Sequence, residues 1–153
     1  MAVIEGQGIL LVEDDSNDIL FVQRAFQRVN SVNPIRIVKD GDSAIQYLSG
    51  EGPFADRDHN PLPALILLDL KLPRRSGIEI LQWIREQPGL RRIPVVVLTS
   101  SRETIDLERT YDLGANSYLV KPVKFEDLTK MIEAINTYWL RFNECPSLLS
   151  SAE

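Results

Sequence analysis

Four short apolar runs in this chain end on side chains that can do chemistry. Ile9–Val12 leads into Glu13-Asp14-Asp15, Ala64–Leu68 into Asp69, Ile93–Leu98 into Thr99, and Ser117–Val120 into Lys121-Pro122. Carboxylates gathered in one cleft repel, and some of them take up protons unless a cation sits among them. With oxygen donors only and neither His nor Cys beside them, that cation is expected to be hard, and Mg2+ held by few carboxylates and several waters suits the set. A Lys adds a mobile point charge and a Thr adds a hydroxyl donor. Together these groups would make a phosphoryl acceptor site, where the work is positioning and charge neutralisation.

For the groups to meet, the runs that carry them must lie side by side. With Ile35–Val38 there are five such runs, and three of them lack polar alternation, as strands of a parallel sheet covered on both faces do. Between them the period is helical. Asn17–Asn30 aligns Ile19, Val22, Phe26 and Val29, with Ser16 as the expected N-cap. Asp42–Ser49 carries Ala44, Ile45 and Leu48, and Gly77–Gln87 carries Ile80, Leu81 and Ile84. Arg102–Leu113 carries Ile105, Leu107 and Tyr111 and closes on Gly114, while Phe125–Arg141 carries Leu128, Met131, Ile132, Ile135 and Trp139. Alternation of this kind implies right-handed crossovers and an α/β doubly wound parallel sheet with helices on both faces. Such sheets bind ligands beyond the carboxyl ends of their strands, where strand order reverses. In the order 2-1-3-4-5, strands one and three are neighbours, and Glu13, Asp14 and Asp69 share one cleft.

Composition narrows the function further. The 153 residues, 44% hydrophobic and 25% charged, suit one globular domain, expected over 8–143 with flexible termini over 1–7 and 144–153. The stretch Gly50–Pro63 is expected to be an ordered, exposed loop. Seventeen Lys+Arg against twenty-two Asp+Glu give a net charge of −5, which argues against a protein that coats nucleic acid or an anionic membrane. Cys145 and His59 are the sole residues of their types, which removes disulfides, Cys–His and Ser–His pairs and Cys-clustered zinc within the chain. With no secretory-type start and no apolar run of membrane length, a cytoplasmic protein is expected. His59 reads as a solvated loop residue, Cys145 as unreactive and Trp83 as a partly packed surface aromatic. Arg74, Arg75, Arg91 and Arg92 read as a solvated rim or a surface for an acidic partner.

The same residues carry a resemblance. Val12-Glu-Asp-Asp15, Leu67-Leu-Asp-Leu-Lys-Leu-Pro73 followed by Gly77, Val97-Leu-Thr-Ser100 and Gly114-Ala-Asn-Ser-Tyr-Leu-Val-Lys-Pro122 resemble the four signatures of the response-regulator receiver domain of two-component systems. The likeness runs from about Gly8 to Asn143. It implies a flavodoxin-like five-stranded sheet in the order 2-1-3-4-5 with five helices. It implies Asp69 as phosphoacceptor, with Glu13, Asp14, Asp69 and the backbone carbonyl of Lys71 as the Mg2+ set, Asp14 directly and Glu13 through water. Thr99 and Tyr118 would be the switch residues, and Lys121 the phosphoryl-binding Lys before a cis bond to Pro122. More narrowly, the proline-rich loop before strand three, Arg91–Ser100, Tyr111 and Tyr138-Trp139-Leu140 are similar to stand-alone regulators that partner phytochrome histidine kinases. Lys71 stands where many receivers have a neutral residue, and Ser101, two after Thr99, is unremarkable.

What this implies is phosphoryl transfer from a sensor kinase's phosphohistidine to Asp69, read out through helix four, strand five and helix five. Leu107, Tyr111, Tyr138, Trp139 and Phe142 exceed what one core-facing stripe needs, so a homodimer through that face is expected. Taken singly the residues have plainer readings: an acidic pair is usually a helix N-terminal cluster, and a lone Thr or Lys a strand end or a solvated cation. Their joint placement at four strand exits carries the functional one. Two other classes remain: a phosphohydrolase with Asp69 as nucleophile, which would need a second carboxylate where Lys71 stands, and a dimerising scaffold without phosphotransfer. Flavin binding on the same fold is disfavoured, because the strand-one carboxylates would repel its phosphate.

Overall fold

A computed structural model describes residues 8–148 of the chain. Five parallel strands, β1 (Ile9–Val12), β2 (Ile35–Val38), β3 (Leu65–Leu68), β4 (Val95–Thr99) and β5 (Ser117–Val120), form one sheet in the order β2-β1-β3-β4-β5. Five α-helices alternate with them: α1 (Ser16–Arg28), α2 (Gly41–Ser49), α3 (Gly77–Glu86), α4 (Thr104–Asp112) and α5 (Phe125–Ile135). The doubly wound sheet expected from the apolar runs is the one found.

Side-chain alternation divides the core into two layers. Leu10, Val12, Ile66, Leu68, Val95 and Val97 face α2 and α3, against Ala44, Tyr47, Leu48, Ile80, Leu81 and Ile84. Ile9, Leu11, Leu65, Leu67, Val96 and Leu98 face α1 and α5, against Val22, Phe26, Leu128, Ile132 and Ile135. That two-sided burial is why β1, β3 and β4 are apolar throughout, whereas the edge strands β2 and β5 are half-buried. The register pairs Val12 with Leu68 and Thr99 with Val120, so the chain leaves β1 and β3 at one level and β4 and β5 at another.

Several local details differ from the reading of the sequence. The N-cap of α1 is Asp15, whose carboxylate accepts from the amides of Asn17 and Asp18 at 2.9 Å; Ser16 is already helical. A carboxylate at that point also meets the positive end of the helix. Strand β4 begins after Pro94, which has no amide to donate. Helix α4 starts at Thr104 with Glu103 as its N-cap, and the Glu103 amide donates to Ser101 Oγ at 3.3 Å just before it. Helix α5 ends at Ile135 and continues as a wider π-helical stretch, Asn136–Phe142, closed by Asn143 N–H to Tyr138 O at 2.7 Å.

Loop 50–63 is ordered, as expected. Arg57 donates to the carbonyls of Tyr47, Leu48 and Asn60, Tyr47 donates its hydroxyl to Pro61 O, and Phe54 packs on the Tyr47 ring. Residues 144–148, expected to be loosely held, turn back onto the fold: Leu148 packs against the α2/α3 layer and Ser147 O accepts from Arg92. Segments 1–7 and 149–153 lie outside the described residues.

Candidate functional site

Ladder hydrogen bonds carry the strand geometry one residue past each strand end. Asp69 N–H donates to Val12 O at 3.0 Å, Glu13 N–H to Val38 O at 3.1 Å, and Lys121 N–H to Thr99 O at 2.8 Å. Backbone pairing thus aims Glu13, Asp69 and Lys121 into the cleft. Gly77, at the start of α3, donates its amide to Leu70 O at 2.9 Å. A Cβ there would sit 2.2 Å from Asp69 O, so glycine is what lets α3 approach the turn that carries Asp69.

Glu13 and Asp69 are buried and Asp14 is exposed, and a carboxylate oxygen from each lies within 4.8 Å of the others. Asp69 Oδ1 accepts from the amides of Leu70 (2.7 Å) and Lys71 (3.5 Å), while its Oδ2 accepts from Lys121 Nζ at 3.1 Å. Glu13 Oε2 accepts from the amides of Asp14 and Asp15, and its Oε1 accepts from Lys121. The third proton of the ammonium goes to Asp18 Oδ2 at 2.9 Å. The four expected residues Glu13, Asp14, Asp69 and Lys121 therefore meet in one place.

Electrostatics follow from this crowding. Burial pushes the Glu13 carboxyl up to about 7, Asp69 pushes the same way, and the bond to Lys121 opposes them. Burial works to lower the Lys121 ammonium, but its bonds to Asp18 and Glu13 and the charge of Asp69 outweigh that, and its pKa is raised. One ammonium does not neutralise three converging carboxylates. Their all-oxygen donor set and spacing fit a small divalent cation, whose opposite ligands stand about 4.1 Å apart in an octahedron with bonds of about 2.0–2.1 Å.

Thr99 and Tyr118 form a second group. Thr99 is fully buried at the β4 end, and its Oγ1 accepts from Ser101 N–H at 3.3 Å. Tyr118 donates its hydroxyl to Ser101 O at 2.9 Å. The two are joined through Ser101 rather than to the carboxylates. Ser101 also donates its hydroxyl to Asp106 at 2.6 Å, tying the β4 exit to the first turn of α4. Reading the sequence missed Ser101 and Asp18. Asp18 gave no signal, since Asp14 precedes the helix that begins at Ser16 and the partner of Asp18 is Lys121, 103 residues further on. Ser101 carried no signal beyond proximity to Thr99.

Two expectations need correction. Lys121–Pro122 is trans, there being no cis peptide among the described residues, and the long Lys side chain reaches the carboxylates from the ordinary geometry. Trp139 packs against the α1/α5 layer and meets Tyr138 edge-on at 4.8 Å, so it does not belong to a free apolar face. His59 is exposed as expected but is held by Asp56 at 2.6 Å.

A doubly wound sheet that delivers two acidic residues from its first strand, an aspartate from its third and a lysine from its fifth defines a receiver. The chain belongs to the response regulator receiver domain family, whose description matches residues 9–133. It is 43% identical over 138 residues to the probable methanogenesis regulatory protein FilR2 of Methanothrix harundinacea, covering 90% of this chain and 86% of that one. The phosphorylated cyanobacterial phytochrome response regulator RcpA superposes with a TM-score of 0.86 at 38% identity, covering 92% of this chain and 99% of RcpA. The Mn2+-bound form of response regulator Rcp1 of Synechocystis gives 0.84 at 39% identity with the same coverage. The chain is a signalling receiver similar to phytochrome-linked response regulators, and among its described residues no helix is long and apolar enough to cross a membrane.

Proposed function

We propose that the chain accepts a phosphoryl group on Asp69 from the phosphohistidine of a sensor histidine kinase of the phytochrome type. One observation carries this: a buried aspartate whose Oδ1 is held by two amides and whose Oδ2 faces a buried ammonium at 3.1 Å, beside two further carboxylates. The free lone pairs of Oδ2 attack the phosphorus in line. A P–O bond forms as the P–N bond breaks, and the electron pair leaves on the imidazole nitrogen.

Glu13, Asp14, Asp69 and the Lys71 carbonyl would hold Mg2+, which when bound neutralises charge on the phosphoryl oxygens. Lys121 turns to the phosphoryl oxygens as the negative charge moves outward. Thr99 exchanges its bond with the Ser101 amide for a phosphoryl oxygen, and Tyr118, tied to the same Ser101, follows. Charge-assisted hydrogen bonds contribute about 1.5–3 kcal/mol each, and inverting a 1:99 population takes about 5.5 kcal/mol, so two or three such bonds made in one state suffice. The surface that changes is α4-β5-α5.

Helix α4 fully buries only Thr110 and leaves Ile105, Leu107 and Tyr111 exposed, a face suited to a second copy of this chain. The setting is the cytoplasm, which suits a single exposed thiol at Cys145. Catalysis is confined to the chain's own phosphorylation and dephosphorylation.

Incubation with acetyl phosphate and Mg2+ followed by intact mass tests the reading. One added phosphate that is absent from Asp69→Asn supports it. Steady release of phosphate without an adduct would indicate a phosphohydrolase, and no reaction a scaffold.

A further inference from the structure

Asp18 belongs to neither the carboxylate cluster nor the switch, yet it takes one of the three protons of the Lys121 ammonium at 2.9 Å. It projects from the first turn of α1 and is partly exposed, whereas the other two acceptors, Glu13 and Asp69, are buried cluster members. This division has a chemical consequence. A divalent ion entering among Glu13, Asp14 and Asp69 competes with Lys121 for two of its three partners. The third partner lies outside the set the ion can use.

We infer that Asp18 is a positioning residue: it holds the Lys121 ammonium at the edge of the cleft while a divalent cation displaces it from Glu13 and Asp69. The inference rests on the acceptor reading of this site. With Asp18 in place, Lys121 gives up the cluster carboxylates without losing every charged partner. A long, flexible side chain thereby stays within reach of an incoming phosphoryl group. Without Asp18 the ammonium has charged partners only inside the cluster and competes harder with the ion for them. Asp18 thus favours ion binding by acting through Lys121, in addition to the general attraction any nearby carboxylate exerts.

A double-mutant cycle separates the two contributions. Mg2+ affinity is measured by calorimetry for the full chain, Asp18→Asn, Lys121→Met and the double variant. The expected result is a weakening by Asp18→Asn that is at least threefold larger when Lys121 is present than in the Lys121→Met background, with recovery in Asp18→Glu. In the Mg2+-loaded protein, nitrogen-15 NMR of the Lys121 ammonium should give a slowly exchanging signal that Asp18→Asn loses. Equal weakening in both backgrounds, or an unchanged ammonium signal, overturns the inference. Intact mass of the unsubstituted chain after acetyl phosphate treatment tells the two failures apart. An Asp69 adduct with no coupling removes only the role of Asp18, whereas no Mg2+-dependent adduct removes the acceptor reading and this role with it.

Discussion

Replacing Gly77 by alanine tests whether the acceptor turn is held by backbone contact with α3. The new Cβ would stand 2.2 Å from Asp69 O, 2.7 Å from Leu70 Cα and 3.0 Å from Asp69 C, where ordinary contact begins at 3.4 Å. All three atoms belong to backbone, so no side chain can swing away; α3 and the turn must separate by about 1 Å. Helix α3 cannot retreat freely, because Ile80, Leu81 and Ile84 are fully buried against the sheet. Overpacking of this kind costs about 1–3 kcal/mol, and contact with backbone puts it at the upper end. Gly77 is the first residue of α3, so alanine returns at most the mid-helix gain of about 0.5–1 kcal/mol, leaving a net loss of about 2 kcal/mol or more. For a chain of this size that lowers the melting temperature by roughly 4–8 °C. A shift of about 1 Å at the reacting carboxylate should also slow phosphorylation on the order of 100-fold. Differential scanning calorimetry and a timed acetyl phosphate reaction measure both effects. Gly89→Ala is the control, since a Cβ there meets nothing within 4 Å. A Gly77→Ala protein as stable and as reactive as the Gly89→Ala protein would show that contact with α3 does not hold the acceptor turn.

Other outcomes follow from single contacts. Glu13 binds its proton more tightly folded than unfolded, so its contribution to stability is full below pH 4.5 and is lost as pH rises to about 7. The loss amounts to about 3 kcal/mol in metal-free protein. Urea titrations at pH 5 and 8 should show that fall, and Glu13→Gln should remove it; a fall of equal size in Glu13→Gln would contradict the assignment. Asp15→Ala removes the α1 cap and should cost about 1 kcal/mol by the same titrations, whereas Ser16→Ala should cost nearly nothing. The reverse ranking would restore Ser16 as the cap. Tyr111→Asp places a charge on the exposed face of α4 and should shift the chain toward monomer in sedimentation velocity; an unchanged dimer places the contact elsewhere.

The parts of this architecture that were legible in the sequence are those written in apolar content. Two-sided burial makes β1, β3 and β4 uniformly apolar, and the residue after each run falls at a strand exit whatever the loops do. Position alone therefore puts Glu13, Asp14, Asp69 and Lys121 at strand exits, whereas the strand order that gathers those exits into one cleft is what the family resemblance implies. Features that depend on which of two adjacent polar groups wins a contact were not legible. Asp15 and Ser16 both cap helices, and the choice rests on one residue's backbone angles. The widening of the helix at Asn136 leaves the apolar spacing of α5 unchanged, so periodicity ran on to Arg141. Trp139 continues the stripe of Leu128, Ile132 and Ile135 and packs on the core, while its neighbour Tyr138 is exposed. Asp18 and Ser101 act through pairings with residues far along the chain or across a turn, which one-dimensional spacing does not display.

In the proposed function, Asp69 carries the phosphoryl group because the carboxylates around it hold a divalent cation. Reductive trapping addresses it most directly: the chain is treated with acetyl phosphate with Mg2+ or with chelator, reduced with borohydride, digested and mapped by mass spectrometry. The expected outcome is reduction of residue 69 to homoserine in the Mg2+ sample and its absence in the chelated one. Label on Asp14, Asp15 or Asp18, or label on Asp69 that is indifferent to chelation, would contradict it.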